Sequence, residues 1–104
     1  MKGLSMTRNE IMAQIRQHDD FLIAHGVKRI GLFGSYAREE EREESDIDLI
    51  VEFDAGKKNY DNFIELCFFL EDLLGHKVDL LTPESLSPYI RPYIEKDAYY
   101  ETIH

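Results

Sequence analysis

Apolar residues along this chain switch between two spacings, and the switches mark the elements. Thr7-Arg8-Asn9-Glu10 reads as a capping box, in which the Thr7 hydroxyl accepts a backbone N–H and Glu10 reaches back. Ile11, Ile15 and Leu22 then recur on one helical face with Phe21 beside them, and Gly26 closes this first helix with His25 in its last turn. Residues 28–33 (Lys-Arg-Ile-Gly-Leu-Phe) are short, apolar at their end and bounded by glycine, which predicts a strand. Residues 46–53 (Asp-Ile-Asp-Leu-Ile-Val-Glu-Phe) form the clearest strand, rich in β-branched side chains. After a turn at 54–59, Tyr60, Phe63, Cys67, Leu70 and Leu74 fall at heptad-like spacing, with Ile64 and Leu66 beside them. That is a helix with a buried face, ended by Gly75.

Residues 77–81 read as a third strand, and Thr82-Pro83 as a helix start with Thr82 as cap. Pro88 and Pro92 break the next stretch into short turns, and Tyr93, Ile94, Ala98 and Tyr99 predict a last helical piece. Residues 1–6 read as a loose start, and 36–45 as a short exposed helix and loop. The order α-β-(α)-β-α-β-α predicts one α/β or α+β unit over 1–104, a sheet layered with helices.

Charge narrows the partners. The 104 residues carry 12 Lys+Arg against 21 Asp+Glu, a formal charge of −9, which argues against direct nucleic-acid binding because phosphate neutralisation needs a basic face. A single cysteine excludes a disulfide within the chain and a multi-cysteine zinc site. Apolar runs stay well short of the ~18 residues of a membrane span, and no signal-peptide pattern opens the chain, so the expectation is no membrane and a cytoplasmic location.

Three aspartates stand apart from the other acidic residues. Asp46 and Asp48, two apart in a predicted strand, leave the same face, and Asp79 lies between Val78 and Leu80 in another. A carboxylate flanked by apolar residues in a strand calls for a cation or donors, because an unpaired buried charge is costly. If the second and third strands are neighbours, the three carboxylates meet on one face, an arrangement that suits Mg²⁺. Two such ions about 4 Å apart clamp the attacking and leaving oxygens of a phosphoryl or nucleotidyl transfer. Gly34-Ser35, at a strand-to-helix turn with ten residues before Asp46, suits phosphate: the glycine admits close approach, the next N–H groups point outward, and Ser35 adds a donor. Arg38 lies one turn on as a further phosphate contact.

Gly34-Ser35, ten residues, then Asp46-Ile47-Asp48 resembles the G-S-x(about 7–13)-D-x-D signature of the polymerase-β-like nucleotidyltransferase superfamily. The wider string Gly31-Leu-Phe-Gly-Ser-Tyr-Ala-Arg38 and Ser45-Asp-Ile-Asp-Leu-Ile-Val51 looks like its minimal nucleotidyltransferase (MNT) branch, with Val78-Asp79-Leu80 matching the third carboxylate strand. The resemblance runs from about Ile11 to Tyr99. It implies the nucleotidyltransferase fold, a small mixed sheet packed with helices, and transfer of a nucleoside monophosphate from an NTP to a hydroxyl with two Mg²⁺ ions. By resemblance Asp46 and Asp48 hold the metals, Asp79 completes the site and helps deprotonate the acceptor, and Gly34 and Ser35 hold the triphosphate. The chain also resembles MNT antitoxins paired with HEPN-domain ribonuclease toxins. This implies transfer of AMP from ATP to a tyrosine hydroxyl of such a partner in a hetero-oligomer. The alternative is a non-catalytic antitoxin that neutralises the toxin by direct binding, which the charge of −9 also suits. One departure stands out: family members frequently carry glycine after the arginine of G-S-x-A-R, where this chain has Glu39 in a spacer of five glutamates.

Plainer roles compete at several positions. Ser35 caps a helix as readily as it binds phosphate, and Arg38 pairs with Glu41 in a simple surface reading. The glutamates are expected to face solvent or a basic partner. Cys67 is expected in the core, the histidines at the surface or at caps. The tyrosines at 89, 93, 99 and 100 are expected mostly in packing, with an interface as the alternative.

Overall fold

A computed structural model of the chain describes residues 6–42 and 44–103. Positions 1–5 of the expected loose start, Glu43 of the acidic spacer and His104 lie outside the described residues.

The capping box forms as the sequence predicts: the Glu10 amide donates to Thr7 Oγ1 at 3.1 Å, and Glu10 Oε1 accepts from the Thr7 amide at 2.8 Å. The helix it opens is two helices rather than one, α1 (Arg8–Gln17) and α2 (Asp19–Ala24). The break is at His18, whose backbone leaves the helical region at φ −117°, ψ 32°. Asp19 and Asp20 then open α2, where negative charge suits a helix N-terminus. Ile11, Ile15 and Leu22 are buried together as expected, while Phe21 stacks between His25 and Phe69.

Four strands form one mixed sheet in the order β3-β2-β1-β4: β1 (Val27–Phe33), β2 (Ile47–Phe53), β3 (Val78–Leu81) and β4 (Tyr99–Thr102). β2 runs antiparallel to β1 and parallel to β3, and β4 runs antiparallel to β1. Register places Leu32 opposite Leu49 and Leu49 beside Leu80, and Ile47 beside Val78. With Ile30 and Val51 these side chains are buried on the face that carries the helices. Gly31, Phe33, Asp48, Ile50, Asp79 and Tyr100 alternate onto the opposite face.

Two further helices flank the middle of the chain, the single turn α3 (Gly34–Ala37) and the long α4 (Tyr60–Leu74). Helix α4 is capped by Asn59, which accepts the Asn62 amide at 2.8 Å, and is ended by Gly75 in the left-handed conformation. Leu66, Leu70 and Leu74 are buried, with Phe63 and Cys67 packed beside them. Tyr60 does not join this stripe as the heptad spacing predicts, being 75% exposed. The apolar face starts one turn later, at Phe63.

Strand β4 corrects the sequence reading, which places Tyr99 in a terminal helix. Helix α5 (Arg91–Asp97) stops at Ala98, which turns extended, and the chain pairs with β1. Gly31 leaves room for it, since a Cβ there would meet Tyr100 Cδ1 at 2.8 Å. The buried Ile103, whose amide donates to Lys28 O at 2.9 Å, anchors its end. Thr82-Pro83 likewise opens only a 3₁₀ turn (Pro83–Ser85), and Thr82 is buried without capping it. Helix α5 buries none of its side chains, and Tyr89, Ile90 and Tyr93 are exposed. Among the described residues no helix is long and apolar enough to cross a membrane.

Leu70→Ala removes a fully buried side chain and is expected to lower unfolding free energy in urea by about 2–5 kcal/mol. Tyr60→Ala is expected to stay within about 0.5 kcal/mol of the parent, because Tyr60 lies outside the buried stripe.

Candidate active site

Strand β1 runs into α3 without a linker, so the Gly34-Ser35 turn leaves the sheet at Phe33. Phe33 pairs with Asp48 across the antiparallel ladder, and Asp48 aligns with Asp79 across the parallel one. Gly34 sits at φ +76°, and a Cβ there would overlap the Asp48 carboxylate, with Asp48 Cγ at 3.0 Å and Cβ at 3.2 Å. Only glycine both adopts this backbone and leaves that space. The phosphate-type turn and the aspartate strand are therefore in direct contact.

The three aspartates come together with two changes from expectation. Asp46 lies just before β2 rather than in it, and is exposed. Asp79 is also exposed: β3 is an edge strand, so Val78 and Leu80 face the core and the carboxylate between them faces out. Its apolar neighbours reflect alternation, not burial of the charge. Asp48 is the half-buried member. Its pKa is pushed up to about 6 by burial, then by the charges of Asp79 and Asp46, against which Arg38 pulls the other way. Among the described residues, no three His, Cys, Asp or Glu side chains are gathered into a ready metal cluster. The donor set nonetheless fits a hard divalent cation: three carboxylates at neighbouring positions, mutually repelling, with oxygen as their only donor atom.

Ser35 lies in the first turn of α3 and does not cap it, since the cap position belongs to Phe33. Arg38 ends α3, donating its amide to Gly34 O at 3.1 Å and its Nε to Glu40 Oε1 at 3.0 Å, so its partner is Glu40 and not Glu41. The expected exposed helix is a single turn that buries Tyr36 and Ala37. Tyr36 meets the His76 ring edge-on at 6.1 Å between centroids. Glu39 and Glu40 are exposed, as expected of the spacer, but their basic partners are internal: Glu39 lies 3.5 Å from Arg8. Glu41 is half-buried, and its Oε1 has no hydrogen-bond partner among the described residues. Glu39 has φ 59°, a left-handed backbone that favours glycine. Arg8 and Lys96 also reach the Arg38 end of α3, and no sequence spacing points to them because only the fold joins positions 8, 38 and 96.

The chain matches the nucleotidyltransferase domain family over residues 14–103. It is 48% identical, over 90% of its length and 97% of the relative's, to a Methanocaldococcus jannaschii protein named as a candidate protein adenylyltransferase. Its fold is similar to a solved structure described as a candidate minimal nucleotidyltransferase, with 35% identity, a TM-score of 0.76, and coverage of 90% of this chain and 95% of that one. It is also similar in fold to the Shewanella oneidensis structure of a tri-AMPylated HEPN toxin in complex with an MNT antitoxin. There the TM-score is 0.60 at 22% identity, covering 90% of this chain and 71% of that chain.

Two measurements check this geometry. Asp48 holds its proton more tightly folded (about 6) than at its ordinary value of 3.8, so its stabilising contribution is full below about pH 4 and lost as pH rises through 6. Asp48→Asn removes that loss. In metal-free urea melts it is expected to match the parent's pH trend near pH 4 and to pull ahead of it by about 1–2 kcal/mol by pH 7, after allowing for screening of a partly exposed group. Glu39→Gly relieves the left-handed strain and forfeits only a long ion pair from an exposed glutamate to a half-buried arginine. Its expected gain is about 0.5–1 kcal/mol, read as a higher urea midpoint at unchanged slope.

Proposed function

This chain belongs to the nucleotidyltransferase domain family and is a nucleotidyltransferase; from that premise we propose that it transfers AMP from ATP to a tyrosine hydroxyl of a partner protein, a HEPN-type toxin that it thereby silences. The observation that carries this reading is the Asp48 carboxylate, lodged between the bare Gly34 backbone and Asp79, with Asp46 close enough to raise its pKa. The name of the M. jannaschii relative and the AMPylated toxin beside the S. oneidensis antitoxin supply the class of acceptor. The reading places the protein in the cytoplasm, where ATP is, with no nucleic acid as direct substrate.

In this proposal Asp46 and Asp48 hold Mg²⁺, and Asp79 completes the set. Two bound Mg²⁺ ions would neutralise phosphate charge and stabilise the attacking and leaving oxygens. The N–H groups of the Gly34-Ser35 turn and the Ser35 hydroxyl hold the triphosphate, with Arg38 as a fixed positive charge beside it. The acceptor oxygen bonds to the α-phosphorus, the bond from that phosphorus to the bridging oxygen of the β-phosphate breaks, and pyrophosphate departs with the electron pair. Asp79, exposed at the sheet edge, accepts the hydroxyl proton as the new bond forms. Because Asp79 and Asp46 face outward, the acceptor enters from the open sheet edge.

The test incubates the protein with α-labelled ATP, Mg²⁺ and its toxin partner. Label is expected on a partner tyrosine, and Asp46→Asn is expected to reduce transfer by at least about 100-fold while the urea midpoint stays near the parent's. No label from any NTP rejects the reading. A variant that fails to transfer label yet still protects cells from the toxin makes direct binding the operative function.

A further inference from the structure

The chain carries tyrosines of its own, and their settings differ sharply. Of the six, Tyr36 and the Tyr100 hydroxyl are buried. Tyr99 has the Arg8 guanidinium over its ring, and its oxygen accepts an Arg8 N–H at 3.0 Å. Tyr60, Tyr89 and Tyr93 stand exposed. Tyr60 opens the packed helix α4 and is followed at once by Asp61. Tyr93 lies on α5 with Asp97 four residues on, beside it along the helix. Tyr89, 84% exposed, has no such neighbour. Residues 85–94 carry no carboxylate, and their only charge is Arg91, which donates to Glu95 Oε2 at 3.2 Å.

Tyr89 lies in the turn at 88–90, and that turn is fastened at both ends. Thr82 and Pro83 are buried at its root, where Ser85 Oγ donates to Thr82 O at 2.7 Å and the Leu86 amide to Pro83 O at 3.2 Å. On the turn itself the Tyr89 amide donates to Ser87 Oγ at 3.1 Å, and the Ile90 and Arg91 amides donate to Ser87 O at 3.1 and 2.9 Å. Pro88 fixes the backbone just before it. These bonds hold the ring in solvent before anything docks on it, so little ordering cost remains for binding. A ring so exposed is not seated in its own chain's aspartate site, and moving it there would break the turn. A second molecule receives it with the turn intact. The face that carries Asp46, Asp48 and Asp79 repels an acidic acceptor, and this carboxylate-free segment meets no such repulsion.

We propose that Tyr89 is itself an AMP acceptor, modified by a second copy of this chain. The proposal rests on the nucleotidyl-transfer reading above and adds a protein substrate to it. The Tyr89 hydroxyl oxygen of one copy bonds to the α-phosphorus of ATP held by the other. The bond from that phosphorus to the bridging oxygen of the β-phosphate breaks, and pyrophosphate departs with the electron pair. The phenolic proton passes to Asp79 of the copy that holds the ATP. The product is a tyrosyl phosphodiester on the turn before α5, which places a new negative charge two residues from Arg91.

The experiment incubates the parent with α-labelled ATP and Mg²⁺, first alone and then with the toxin partner, and maps the label by peptide mass spectrometry. Alone, the parent is expected to carry label on Tyr89, at a rate per chain that rises with protein concentration. Tyr89→Phe is expected to lose that label, to keep the fold because the ring lies almost wholly in solvent, and to label the partner within about twofold of the parent's rate. Mixing Asp46→Asn, which keeps Tyr89, with Tyr89→Phe, which keeps the aspartates, is expected to put label on the Asp46→Asn chain. Label on Tyr60 or Tyr93 in place of Tyr89 overturns the assignment, as does a mixture that passes no label between chains while the parent labels itself. If the partner is labelled and the parent alone is not, self-transfer fails and the reading of a partner acceptor stands. If Tyr89 is labelled and the partner is not, self-transfer stands and that reading fails. No label on either protein overturns both.

Discussion

The close approach of Asp48 to the backbone of Gly34 is the constraint on which the rest of the site depends. A carboxylate with two carboxylate neighbours is held half-buried against a turn that has no side chain to crowd it. Antiparallel pairing brings the end of β1 to the start of β2, and parallel pairing brings the start of β3 alongside. A one-residue slip between β1 and β2 would send Asp48 to the core face and bring Ile47 or Leu49 to the turn, and one between β2 and β3 would take Asp79 away from Asp48. Register thus does more for this site than any single hydrogen bond. The apolar packing of Leu32, Leu49 and Leu80 on the other face holds that register.

Much of this arrangement is legible in the sequence. Thr7 and Glu10 announce a helix start because both capping partners are local in sequence. Gly34, Ser35, Asp46, Asp48 and Asp79 are legible as a set because glycine at a strand end and carboxylates inside apolar runs are unusual placements. The features that escape have physical reasons. The break at His18 is a backbone change that leaves the apolar period intact. Strand β4 is four residues at a sheet edge, and its side chains show no clean alternation of burial, so the tyrosines read as helix. Tyr36 is fully buried in a segment otherwise dominated by glutamate, and composition hides it. The exposure of Asp79 is hidden because edge and central strands look alike when only flanking residues are read.

The acidity of the chain resolves into separate populations. Asp46, Asp48 and Asp79 share one face, and their repulsion adds to the burial that raises the pKa of Asp48. Glu39 and Glu40 lean on Arg8 and Arg38, so the acidic spacer is partly balanced within the chain itself. The same arginines border a cavity beside α3, where Glu40 and Asp97 also stand, so charge there is close to balanced on a protein of net charge −9.

Helix α5 buries no side chain, yet it contributes Lys96 to the cavity and comes directly after the exposed Tyr89 and Ile90. An element anchored so lightly adds little to the global unfolding free energy and detaches at a small fraction of it. Its amides should therefore exchange with solvent ahead of those in β1 and β2, through opening of one segment rather than of the molecule. Any contact that pins α5, from either of its sides, slows that exchange and stiffens the other side with it. Two surfaces of the protein are in this way tied together by the entropy of one short helix.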